Sequence, residues 1–74
     1  MRILAYDKEE KKLYKVNTIY KRKSPSGKDI LIKEEADLYG WRSFDDVILI
    51  GKGSAIMDIS ERFNNGATKV ILEE

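Results

Sequence analysis

The sequence predicts a small α+β domain: a three-stranded antiparallel meander followed by a β-α-β unit, about five strands with one main helix. Three observations carry this. Tyr14, Val16, Thr18 and Tyr20 recur at period two, the spacing of one strand face. Ser24-Pro25-Ser26-Gly27 interrupts that pattern with turn chemistry, since Pro presets one dihedral and Gly admits a positive φ. Ile56, Ile59 and Phe63 recur at i, i+3 and i+7 between a Gly-rich turn and Asn65-Gly66, which is one apolar helix stripe with its stop signal.

Taken in order, Ile3-Leu4-Ala5-Tyr6 reads as the first strand and Asp7 to Lys12 as a charged turn. Leu13 to Lys21 is the second strand, with Lys15, Asn17 and Lys21 on the face opposite Tyr14. Ile30-Leu31-Ile32 returns as the third, completing the meander. Residues 34–46 carry the weakest pattern: Glu34 to Tyr39 reads as a turn or two of helix stopped by Gly40, and Trp41 to Asp46 as loop. Val47-Ile48-Leu49-Ile50 does not alternate, as expected of a strand covered on both faces. Ser54 is placed to cap the helix with its hydroxyl, and Asp58 and Arg62 to pair at i, i+4 on its outside. Thr68 to Leu72 is the final strand. If it lies beside Val47–Ile50 in parallel, the crossover must be right-handed.

Composition removes whole classes of chemistry. The chain has 74 residues with Cys 0 and His 0, so one core and no disulfide framework, Cys/His zinc site or Ser–His–Asp triad. The carboxylates Glu34, Glu35, Asp37, Asp45, Asp46 and Asp58 form no convincing acid–base pair. Asp45 and Asp46 would point to opposite faces of a strand, a poor Mg²⁺ site. The expectation is a non-enzymatic protein with no catalytic residue, cofactor or metal. Its apolar runs are far short of the ~20 residues a bilayer requires, and no signal-peptide pattern opens the sequence. A cytoplasmic protein with no membrane partner is therefore expected.

Charge is unevenly spread. Residues 1–28 hold nine Lys/Arg and three Asp/Glu, a formal +6, whereas residues 29–74 hold five and ten, a formal −5. Such a dipole orients a partner, or the halves neutralise each other in the fold.

Three segments are candidate sites. Lys21, Arg22, Lys23 and Lys28 surround the predicted hairpin tip and could lie along phosphates. The alternative is a solvated tip whose charge discourages edge aggregation. Tyr39, Trp41, Arg42 and Phe44 close the bottom of a small core, or serve as the residue types enriched as interface anchors, or, third, stack on nucleic-acid bases. Gly51-Lys52-Gly53-Ser54 opens the helix, where amides and the helix dipole favour an anion beside Lys52 and Ser54. It lacks the full phosphate-loop patterns and is otherwise a tight strand-to-helix turn.

Two partial resemblances add to this. Met1-Arg2-Ile3-Leu4-Ala5-Tyr6-Asp7-Lys8-Glu9-Glu10-Lys11-Lys12-Leu13-Tyr14-Lys15-Val16 resembles the start of the YopX-like family of small phage proteins, with Tyr6 where that family has Trp. The resemblance implies a phage or prophage origin and no particular activity. Val47 to Lys52 with Asn64 to Leu72 is similar to the first strand–helix–strand of Alba-type nucleic-acid-binding domains. Their Gly-Lys turn corresponds here to Gly51 and Lys52, with Gly53 in place of a second Lys.

The expected function is thus that of a phage-type accessory protein that binds another protein, inhibiting or modulating a host or defence enzyme in the host cytoplasm. The alternative is a nucleic-acid-binding module using the basic tip and the Gly-Lys helix start. A homo-oligomer is compatible with either.

Overall fold

The computed structural model describes residues 3–34, 37, 38 and 40–72. Its elements are β1 (Leu4–Asp7), β2 (Lys12–Lys15), β3 (Thr18–Lys21), β4 (Ile30–Glu34), β5 (Asp37–Leu38), a 3-10 turn (Phe44–Asp46), β6 (Val47–Ile50), α1 (Gly53–Asn64) and β7 (Lys69–Ile71). The strands form two antiparallel sheets, ordered β2-β1-β6 and β5-β4-β3-β7. The α+β class is as the sequence predicts.

The meander is present, but its middle strand turns a corner. The first strand pairs with Lys12–Lys15 and the third with Thr18–Lys21, and these two halves of the predicted Leu13–Lys21 strand serve different sheets. Tyr14 and Val16 face inward in the first half, whereas Ile19, fully enclosed, faces inward in the second. Thr18 is buried beside Ile19, so burial no longer follows the single alternating face of Tyr14 and Val16 once the strand turns at Asn17. Hydrogen bonds trace the handover. The Val16 N–H donates to the Ile3 carbonyl at 3.0 Å, and the Asn17 carbonyl accepts from the Leu72 N–H at 2.8 Å.

The hairpin tip forms where turn chemistry predicts. The Gly27 N–H donates to the Ser24 carbonyl at 3.0 Å, with Gly27 at φ +77°. The Asp29 carboxylate accepts from the Ser24 N–H at 2.8 Å, bracing the tip from inside.

Four expectations are corrected. Positions 37 and 38 are extended, not helical. Their pairing with Glu34 and Lys33 satisfies the edge of β4, and that sheet bonding overrides a weak local helix preference. Positions 35, 36 and 39 lie outside the described residues. Arg42 is not free loop: it exchanges both backbone hydrogen bonds with Ile30, at 2.7 and 3.0 Å. β6 and β7 are not neighbours, since β7 pairs antiparallel with β3 (Thr18↔Ile71, Ile19↔Val70) in the other sheet. The strand–helix–strand order stands, but it bridges two sheets. Finally, β6 is not covered on both faces. It is an edge strand in a domain whose single described helix covers one side, so Val47 and Leu49 pack on the core while Ile48 and Ile50 stay exposed.

The helix meets its prediction in phase. Ala55, Ile59 and Phe63 are buried and join Ile3, Ile19, Val70 and Leu72 in one core. Arg62 Nε lies 3.2 Å from Asp58 Oδ2 on the outside. Gly66, at φ +97°, lets the chain reverse while the N–H groups of Asn65, Gly66 and Ala67 donate to the carbonyls of Glu61, Phe63 and Arg62. The start differs by two residues. Lys52 occupies the cap position and its carbonyl accepts from the Ala55 and Ile56 N–H groups, while Ser54 lies exposed in the first turn and no side chain caps the helix. Ser54→Ala is therefore expected to change stability by less than about 0.5 kcal/mol in urea unfolding, where a functioning cap would cost about 1.

Candidate functional site

Two surfaces emerge once the candidate residues are placed. The first joins segments that are distant in sequence. The basic tip, the segment around Phe44 and the C-terminal end of α1 enclose an open groove of ≈ 540 Å³, lined by Lys21, Arg22, Lys23, Phe44, Phe63 and Thr68 among others. Lys21 points along the inward phase of Ile19, so its ammonium lies 5.7 Å from the Phe44 ring centre and 5.9 Å from that of Phe63. The Arg22 guanidinium stacks on Trp41 at 4.0 Å, close cation–π geometry, while its Nε donates to the Lys28 carbonyl at 3.1 Å. Asp29 is the acid in the lining, and its Oδ1 is engaged by the Ser24 N–H. Among the described residues no carboxylate lies within ion-pair distance of Lys21, Arg22 or Lys23.

The predicted partner-binding residues separate. Phe44 is 45% exposed and lines the groove, and Trp41 is half-buried beneath Arg22. Tyr39 lies outside the described residues. Arg42 turns inward: its side chain is 13% exposed, and its Nε is 3.2 Å from Asp7 Oδ2 and 3.2 Å from Glu9 Oε2. Nη2 reaches Glu10 Oε1 at 3.8 Å, and Nη1 donates to the Trp41 carbonyl at 3.3 Å. Asp7 is itself buried, so Arg42 is a cross-brace from the segment before the 3-10 turn to the β1–β2 turn. It is not available as an anchor for a partner.

The predicted anion site also divides. Lys28 is exposed on the tip but does not line the groove, and Lys52 and Ser54 stand at the opposite end of α1. A helix of 12 residues is about 18 Å long, so the tip and the Gly51–Ser54 turn do not make one continuous cationic site.

The second surface was not anticipated from sequence. On the outer face of the first sheet, the register sets Leu13, Tyr6 and Ile48 in one cross-strand row and Lys15, Leu4 and Ile50 in the next. Leu13 is 52% exposed, Ile48 46% and Ile50 45%, with Leu4 and Tyr6 half-buried between them. The inner face carries Tyr14, Ala5 and Leu49 instead. One signal was present. An unalternating strand such as Val47–Ile50 in a domain with one helix must leave one side uncovered.

No helix among the described residues is long and apolar enough to cross a membrane. Comparison of the chain with protein-family models, curated proteins and solved structures finds no match. Fold and surfaces define a small α+β domain with an apolar sheet face and a cationic, aromatic groove.

Proposed function

We propose that this chain is a non-enzymatic protein-binding module and that the outer face of the β2-β1-β6 sheet, with the free edge of β6, is its contact surface. One observation carries this reading. Among the described residues β6 is an edge strand made of Val47, Ile48, Leu49 and Ile50, with no charge, Pro or Gly to blunt it, and its two outward side chains continue an apolar patch onto Tyr6 and Leu13. The opposite edge of the same sheet, β2, carries Lys12 and Lys15. Exposed edges are ordinarily protected in the manner of β2, and an unprotected apolar edge marks a place where another chain pairs. Completing the burial of Leu13, Ile48 and Ile50 contributes about 1 kcal/mol each, half the value of a full aliphatic side chain. The favoured partner offers an extended apolar segment, whose backbone would extend the sheet and whose side chains would cover Ile48 and Ile50.

The lack of Cys and His supports a binding role over a catalytic one. The likeness of residues 1–16 to small phage proteins supports the finer reading, an accessory protein that blocks or modulates a host or defence enzyme in the cytoplasm.

The test places a photo-crosslinking side chain at Ile48, with a second variant at Met57 on the exposed face of α1 as control. A discrete protein adduct from position 48 alone is expected. Ile48→Glu and Leu13→Glu should weaken binding of that partner by at least 2 kcal/mol, about 30-fold, with an unchanged melting curve. An adduct consisting of the chain itself would make a second copy the occupant. Equal labelling from positions 48 and 57 would overturn the proposal.

A further inference from the structure

We infer that the groove between the basic tip and Phe44 binds single-stranded nucleic acid, one base stacking on the Phe44 ring and the flanking phosphates meeting Lys21, Arg22 and Lys23. This site shares no residue with the apolar sheet face and stands independently of it.

The argument starts from what the groove combines. Three cations line one concavity against a single acid, Asp29, none of the three has a carboxylate within ion-pair distance among the described residues, and an exposed aromatic ring forms part of the wall. Cations alone would suit any anion. An aromatic plane beside them suits a polymer that alternates charge with flat apolar rings, the pairing that lets proteins hold single strands without reading sequence. Lys21 already sits over Phe44 and Phe63, so a phosphate drawn to its ammonium is carried to the Phe44 ring, on whose solvent-exposed surface an adjoining base can stack. Arg22 is pre-positioned by Trp41 and by the Lys28 carbonyl, which lowers the entropy lost on engaging a phosphate.

The surroundings are compatible with an anion. The groove abuts the C-terminal end of α1, where a helix presents negative partial charge. The carbonyls of Glu61, Arg62 and Phe63 are already bonded by the N–H groups of Asn65, Ala67 and Gly66, which removes much of that field. Asp45 and Asp46 follow Phe44 but do not line the groove, and Asp29, the one acid in the lining, has its Oδ1 engaged by the Ser24 N–H. A volume of ≈ 540 Å³ lies within the usual range for small-ligand clefts and accommodates only a short stretch of strand. In a duplex the bases are stacked and paired, out of reach of Phe44, and the chain's net charge of +1 offers little general attraction.

The experiment is fluorescence anisotropy on the full chain with labelled ten-nucleotide oligothymidine and oligouridine, a duplex of equal length, and polyglutamate as competitor. Binding of the single strands at 50 mM salt is expected. With three cations engaged, affinity should fall with a log–log slope of about −2, roughly 20-fold between 50 and 200 mM. Phe44→Ala should weaken binding about fivefold or more. Lys21→Ala and Lys23→Ala should each lower the slope by about 0.7, while Lys28→Ala and Lys52→Ala leave it unchanged. Phe44, Lys23, Lys28 and Lys52 are exposed, so these variants should keep the parent melting curve. Preference for the DNA or the RNA probe would identify the natural strand. No binding at 50 mM, equal binding of the duplex, insensitivity to Phe44→Ala, or full competition by polyglutamate would each overturn the inference, the last pointing to an acidic peptide.

Discussion

Arg42→Ala is expected to destabilise the domain by about 3–5 kcal/mol, the cost of leaving a buried charge without its partner. Asp7 is the reason. Its side chain is 6% exposed, faces the core side of β1, and has the Arg42 guanidinium at 3.2 Å as its cation. The remaining bond to Asp7 Oδ1, from the Glu9 N–H at 3.0 Å, does not neutralise the carboxylate. A domain of this size has a total stability of roughly 4–11 kcal/mol, so the variant should lose about a quarter of it at the least. Urea titration followed by circular dichroism measures it. The double change Asp7→Ala/Arg42→Ala should lose less than the two single changes together, because it removes both charges at once. Glu10→Gln should move the midpoint little, since Glu10 is 3.8 Å away and largely exposed. A loss below about 1 kcal/mol for Arg42→Ala would show that Asp7 finds water when Arg42 is gone.

Ile59→Ala is the second large effect, expected at about 2–5 kcal/mol. Ile59 is 1% exposed and is the central contact of α1 with a core that includes Ile3, Ile19 and Val70. Removing its outer carbons leaves a cavity that neighbours from two sheets and a helix cannot all move to fill. Met57→Ala, two positions earlier on the same helix but 72% exposed, should fall within about 0.5 kcal/mol of the parent. The ratio of the two effects tests the helix phase directly. Comparable losses would mean that the stripe Ala55–Ile59–Phe63 does not face the core.

Legibility in the sequence followed the range of the forces involved. The helix stripe through Ile59 and Phe63, the Asp58–Arg62 pair, and the turns at Gly27 and Gly66 depend on residues a few positions apart, and all appear where the pattern places them. The corner at Asn17 did not show, because period-two alternation reports which way a side chain points and not which sheet it joins. Ile19 breaks that alternation, and it was the one local clue. Arg42 resembled a surface anchor because its carboxylate partners, Asp7, Glu9 and Glu10, lie at the other end of the first sheet's history in the chain. The groove was legible as two separate lists of residues. Only the inward phase of Lys21, set by Ile19, brings the cations to Phe44. The exposed side of β6 depends on how many layers the whole domain possesses, which no window of residues contains.

The corner strand also sets an order of events during synthesis. β1, β2 and their turn are contiguous and can pair as soon as they emerge, on the microsecond scale of a hairpin. The free side of β3 has to wait for β7, because Thr18 and Ile19 pair with Ile71 and Val70. Until that late segment leaves the ribosome, at about 5–20 residues per second, β3 presents an unsatisfied edge bearing Ile19 to the cell. The interval of greatest vulnerability to aggregation or proteolysis is therefore the few seconds between the emergence of β3 and that of β7, and a pause in decoding between them would lengthen it.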